Sequence, residues 1–110
     1  MSGTDAALVM CEKLTAAGVR ATTDMGALNP PAVLVLLPDR VYDLACGWTA
    51  RWTLYAIGSS PFGADRTTMA QLDEMVDAVA SVYPIESAIK GVFGARTLAT
   101  MSIQFSEVCE

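Results

Sequence analysis

The 110 residues predict an α+β domain: a mixed or antiparallel four-stranded sheet with helices packed on one face, in the order α-β-β-β-α-(α)-β. Three observations lead there. Residues 47–58 and 96–108 alternate side chains with the two-residue period of half-buried strands. Residues 5–17 and the stretch between Asp65 and Pro84 instead carry apolar residues three and four apart, the stripe of a helix lying on a core. Residues 32–37 are apolar without interruption and bounded by prolines, as in a strand covered on both faces.

In chain order, Thr4 or Asp5 caps the first helix and Gly18 is placed to end it as the C′ residue. Ala7, Met10, Cys11, Leu14 and Ala17 form its stripe. Residues 19–23 read as a short, moderately polar strand at a sheet edge. Asn29, Pro30 and Pro31 forbid helix and make residues 25–31 a bend. The apolar strand 32–37 follows. Residues 39–46 are charged and read as a mobile or assembly-ordered link, too long for a two-residue hairpin turn.

The 47–58 strand places Trp48, Ala50, Trp52, Leu54 and Ala56 on a buried face, and Thr49, Arg51, Thr53, Tyr55 and Ile57 on the other. Residues 58–63 are turn chemistry. They are not a phosphate loop, because no Gly-Lys-Ser/Thr follows. Asp65 is the expected N-cap of the longest helix, with Met69, Leu72, Met75, Val76, Val79 and Val82 as its apolar stripe. Pro84 stops it and can start a shorter helix with Ile85, Ala88, Ile89 and Val92 in register, ended by Gly94. In the last strand Ala99, Met101, Ile103 and Phe105 share one face and Thr100, Ser102, Gln104 and Ser106 the other. No linker or repeat divides the chain, so residues 1–110 read as one domain.

Composition narrows function. The formal net charge is −5 and the pI about 4.5, which argues against affinity for a nucleic-acid backbone. Hydrophobic residues make up 53% of the chain and charged residues 17%, below the roughly 25% usual for soluble domains. A surface so poor in charge is expected to be partly hidden in an assembly. The longest apolar run is far short of a membrane span, and the N-terminus carries no secretory pattern. Three widely spaced cysteines, Cys11, Cys46 and Cys109, read as reduced thiols.

With no histidine, Ser-His and Cys-His nucleophile pairs are excluded. Asp73, Glu74 and Asp77 form an acidic cluster best explained by a solvated helix face, so neither metal nor other cofactor is expected. Asp39, Arg40 and Asp43 resemble a salt-bridged loop. No enzymatic activity is expected. The candidate site is instead the polar sheet face, where Arg51, Thr53, Tyr55, Ile57 and Gln104, with Asp39, Arg40 and Asp43 of the link, form a prospective subunit or partner interface. Arginine and tyrosine are enriched at binding hot spots.

The pattern resembles the tail terminator proteins of long-tailed (siphovirus-type) bacteriophages. The residues that carry the resemblance are the run from Pro31 to Leu37, the strand 48–57, the Asp65-capped helix ending near Tyr83 and Pro84, and the closing segment from Leu98 to Phe105. It implies a subunit of a homo-oligomeric, hexameric ring that caps the tail tube protein, stops its polymerisation and meets a head-completion or connector protein. DNA would pass through the ring without specific binding. The ring would sit at the head-proximal end of the tail after assembly in the host cytoplasm, with no membrane involved. Another neck component, or a ferredoxin-like small-molecule-binding regulatory domain, is compatible with the same residues.

Overall fold

The computed structural model describes residues 3–43, 47–63, 66–95 and 97–108. Its elements are α1 (Gly3–Ala16), β1 (Ala21–Thr22), a 3-10 turn at Met25–Ala27, β2 (Ala32–Val35), β3 (Asp39–Asp43), β4 (Gly47–Ile57), α2 (Arg66–Val82), β5 (Ser87–Phe93) and β6 (Leu98–Val108). The class is α+β, with a mixed sheet of six strands rather than four. Along the sheet the order is β1-β2-β4-β6-β5, and β3 pairs with β4 on the same side as β2. Among the described strands only the β1–β2 pair is parallel.

The two long alternating segments form the centre. β4 and β6 pair antiparallel from Thr49 opposite Val108 to Ile57 opposite Thr100. This register sets Trp52 opposite Phe105 and Leu54 opposite Ile103, so the apolar residues of both strands share one face. Both helices lie on that face. Ala7, Met10 and Leu14 of α1 and Leu72, Met75 and Val79 of α2 join Trp52, Leu54, Ile103 and Phe105 in one core. Phe105 stacks on Tyr83 with ring centroids 5.0 Å apart and on Trp52 at 6.4 Å. Lys13 Nζ lies 5.9 Å from the Tyr83 ring centroid, within cation–π range. The indole Nε1 of Trp52 is buried with no hydrogen-bond partner among the described residues. The side chain of Trp48 lies outside the described set.

α1 ends as the sequence predicts. Gly18 takes a positive φ of 95°. Its N–H donates to Thr15 O at 3.0 Å, and Val19 N–H donates to Leu14 O at 3.1 Å. This is the Schellman pair, with Val19 and Leu14 both in the core as its apolar contact.

Two expectations fail. Residues 39–43 are not a link but strand β3, paired with β4 from Asp39 opposite Arg51 to Asp43 opposite Gly47. Between the pairs Val35–Leu54 and Asp39–Arg51 the outer chain has three residues, 36–38, where β4 has two. β2 and β3 are therefore one strand interrupted by a one-residue bulge at Pro38, which lacks a ladder donor. The rest of the expected link, residues 44–46, lies outside the described residues.

The short helix expected after Pro84 is the second failure. Residues 87–93 are strand β5, paired antiparallel with β6 from Ser87 opposite Gln104 to Phe93 opposite Leu98. Ile89, Val92 and Gly91 disfavour helix, and the outer edge of β6 supplies the hydrogen bonds a strand needs.

α2 packs with a shifted phase. Thr68, Leu72, Met75 and Val79 are its buried residues, whereas Met69 is 59% exposed. The cause is the end of β4. Gly58 N–H continues the ladder by donating to Ala99 O at 2.8 Å. A Cβ at Gly58 would lie 2.6 Å from Thr68 Cγ2 and 3.4 Å from Ala99 O. Gln71 Oε1 then accepts from Ser59 N (3.1 Å) and Ser59 Oγ (3.0 Å), tying the helix to the turn. The Asp65 cap lies outside the described residues.

Gly58→Ala should therefore push the first turn of α2 off the sheet and lower stability by about 1–3 kcal/mol, the usual cost of overpacking. Urea denaturation of the two chains measures it. A second prediction concerns Tyr83, whose hydroxyl is pushed up to about 12 by burial, then by the Glu107 carboxylate and by Cys11. Because the folded value lies above the unfolded one near 10, its contribution is complete below about pH 10 and is lost as pH rises through about 12. Comparing denaturation midpoints at about pH 9 and 11 should show an alkaline loss that Tyr83→Phe reduces.

Candidate functional site on the open sheet face

With both helices on one side, no described helix covers the other face of β3, β4, β6 and β5. Half of it closes on itself. Ile57, Leu34 and Leu98 are buried there, with Leu28, Tyr55 and Phe93 packed against them. Ile57 is 0% exposed, so this candidate contact residue belongs to the chain's own packing, and Tyr55 is half-buried beside it.

The other half is polar and open. Thr53 on β4 stands opposite Gln104 on β6, and Arg51 stands between Asp39 on β3 and Ser106 on β6. Asp39, Arg51, Thr53, Gln104 and Glu86 line a cleft of about 420 Å³. Arg51, Asp39, Gln104 and Glu86 are exposed. The alternation of β4 and β6 places these side chains, because residues paired across neighbouring strands project from the same face.

Four of the expected site residues, Arg51, Thr53, Gln104 and Asp39, thus come together. Arg40 does not join them. It pairs with Ala50, whose side chain is on the helix face, so Arg40 projects from the opposite side. Asp43 pairs with Gly47 through the backbone, and its side chain lies outside the described set. Glu86 was missed because residues 84–92 read as a helix. It joins the cleft because its N–H donates to Gln104 O at 2.8 Å, extending the β5–β6 ladder.

The cleft offers one guanidinium, two carboxylates, a hydroxyl and an amide. That set can make charged and neutral hydrogen bonds. Among the described residues no three His, Cys, Asp or Glu side chains are grouped to hold a metal ion. Asp73, Glu74 and Asp77 are exposed along α2. Cys11 is a half-buried free thiol pushed up by burial, the opposite of an activated nucleophile; Cys46 and Cys109 lie outside the described residues. No described helix is long and apolar enough to cross a membrane.

If the cleft is used for binding rather than folding, Arg51→Glu should leave the thermal unfolding midpoint within a few degrees of the parent, as expected for an exposed side chain. Calorimetry checks this. No protein-family model, curated protein or solved structure matches the chain.

Proposed function

We propose that the chain is a ring-forming tail terminator of a long-tailed bacteriophage, a structural virion protein that caps the tail tube and stops its polymerisation. The observation that carries the reading is the one-sided helix layer, which leaves a polar sheet face with Arg51 at its centre open for a partner. The tail tube protein is that partner, and a head-completion or connector protein meets the ring from the other end. DNA passes through without specific contacts, in keeping with the net charge of −5. The protein assigned this role is not an enzyme and needs no cofactor. The low charge content and high apolar content suit a subunit whose surface is largely covered in the assembled particle.

The test is tube polymerisation. Added in small molar ratio to polymerising tail tube protein, the chain should arrest growth and remain at one end of each tube. Arg51→Glu should weaken capping by at least about tenfold, the loss expected for a hot-spot side chain. Tubes that grow to unlimited length in the presence of the parent chain would overturn the reading, and another neck component would then be tested against portal complexes.

The cleft of about 420 Å³ favours one further reading, a ferredoxin-like domain that binds a small polar ligand between Arg51 and Gln104. A ligand screen by thermal shift decides it. Stabilisation that rises with ligand concentration and disappears in Arg51→Glu would support the regulatory domain.

A further inference from the structure

The sheet has two long edges with which no described strand pairs, the outer sides of β3 and β5. Both edges expose apolar side chains beside charged ones, Asp39 and Arg40 on β3 and Lys90 on β5. On β5, Ile89 is 60% and Val92 68% exposed; on β3, Val41 is 45% and Tyr42 72% exposed. Such edges invite another strand, and isolated chains normally blunt them. We propose that the chain assembles head to tail, with β3 of one copy pairing antiparallel with β5 of the next.

Charge selects this pairing over the symmetric ones. Lys90 is the middle residue of Ser87–Phe93, so two β5 strands related by a centred twofold axis would set Lys90 against Lys90. Val41 is the middle of Asp39–Asp43, so two β3 strands paired the same way would set Asp39 against Asp43 twice. β3 carries two carboxylates and one guanidinium, a net −1, and β5 carries one ammonium, a net +1. Only the mixed pairing brings opposite charges together.

Direction and shape agree. β4 and β5 each run antiparallel to β6, and β3 runs antiparallel to β4. β3 and β5 therefore run opposite ways, and a second copy moved along the sheet without being turned over meets the first in an antiparallel ladder. Its helix layer then stays on the same side. Tyr42 pairs with Trp48 and projects from the helix face. On that face β5 borders a groove of about 310 Å³ whose mainly apolar floor, from Phe62, Met69, Leu72, Ala88 and Met101, is flanked by Asp73 and Lys90. The neighbour's Tyr42 is the side chain that fills it. A contact of two different surfaces repeats from copy to copy and closes into a ring when its rotation allows. The pairing itself stands on the strand edges; only the expectation that it closes rests on the terminator reading.

Two variants at exposed positions test it. Ile89→Glu blocks the β5 edge and Tyr42→Lys blocks the β3 edge, and native mass spectrometry with light scattering reads the assembly. The parent chain should be multimeric, each variant alone monomeric, and the mixture a one-to-one dimer joined by the one intact edge of each. Matched circular dichroism and thermal transitions establish that the variants fold; if either does not, Val92→Glu and Val41→Lys replace them. A parent chain that stays monomeric at all concentrations, a Tyr42→Lys chain that dimerises alone, or variants that keep the parent's mass would each overturn the pairing. If the variants behave as stated but the parent chain leaves tube growth unaffected, the terminator reading fails and the edge pairing stands. If the parent chain caps tubes and both variants keep its mass, the reverse holds.

Discussion

The antiparallel pairing of β4 with β6 is the constraint on which the rest of the molecule depends. It joins the two eleven-residue strands over nine residue pairs and holds Trp52, Leu54, Ile103 and Phe105 in a single apolar sheet surface. A slip of one residue would move every one of these side chains to the opposite face. The core therefore fixes the register as firmly as the backbone hydrogen bonds do. β2 and β3 need the outer edge of β4, β5 needs that of β6, and both helices need the apolar surface the pair creates. The Trp52 N–H is buried within this surface with no hydrogen-bond partner among the described residues.

The same pairing determines where the chain can meet other molecules. Because both helices sit over one surface, the other is left to its own residues. Its apolar end is closed by Leu28, Leu34 and Phe93, while the Arg51 end stays wet. The face and the edges then have separate uses in the proposed assembly. In that proposal the face would serve a different protein and the edges another copy of the same chain.

Much of this was legible in the sequence. The alternation of residues 47–58 and 96–108 separates the two faces of β4 and β6, so Arg51, Thr53 and Gln104 can be placed on one face from the sequence. The packing of Ile57 and Tyr55 on that same face instead depends on Leu34 and Leu98. Gly18 marked the end of α1 because only a residue at ease with positive φ closes that motif. What could not be read depends on distant parts of the chain. Ile85, Ala88, Ile89 and Val92 fit helical spacing as well as they fit a strand, and the choice is made by β6, which needs a partner on its outer edge. The phase of α2 depends on the close approach of Thr68 to Gly58, so Met69 turned outward although it fits the stripe. Asp39 to Asp43 looked like a loop because Pro38 ended the apolar run, yet a proline at a bulge interrupts a strand without ending it.

That bulge has a consequence for how the chain can change length. Before it, odd-numbered residues such as Val33 and Val35 face the helices; after it, even-numbered ones such as Tyr42 do. The extra residue acts as a phase shifter between two halves of one strand. Removing a single residue from 36–38 would exchange the two surfaces of β3 and turn Tyr42 away from the helix layer, whereas a point substitution there would leave the phase intact. Insertions and deletions at this spot are thus quantised in their effect, and the composition of the segment matters less than its count.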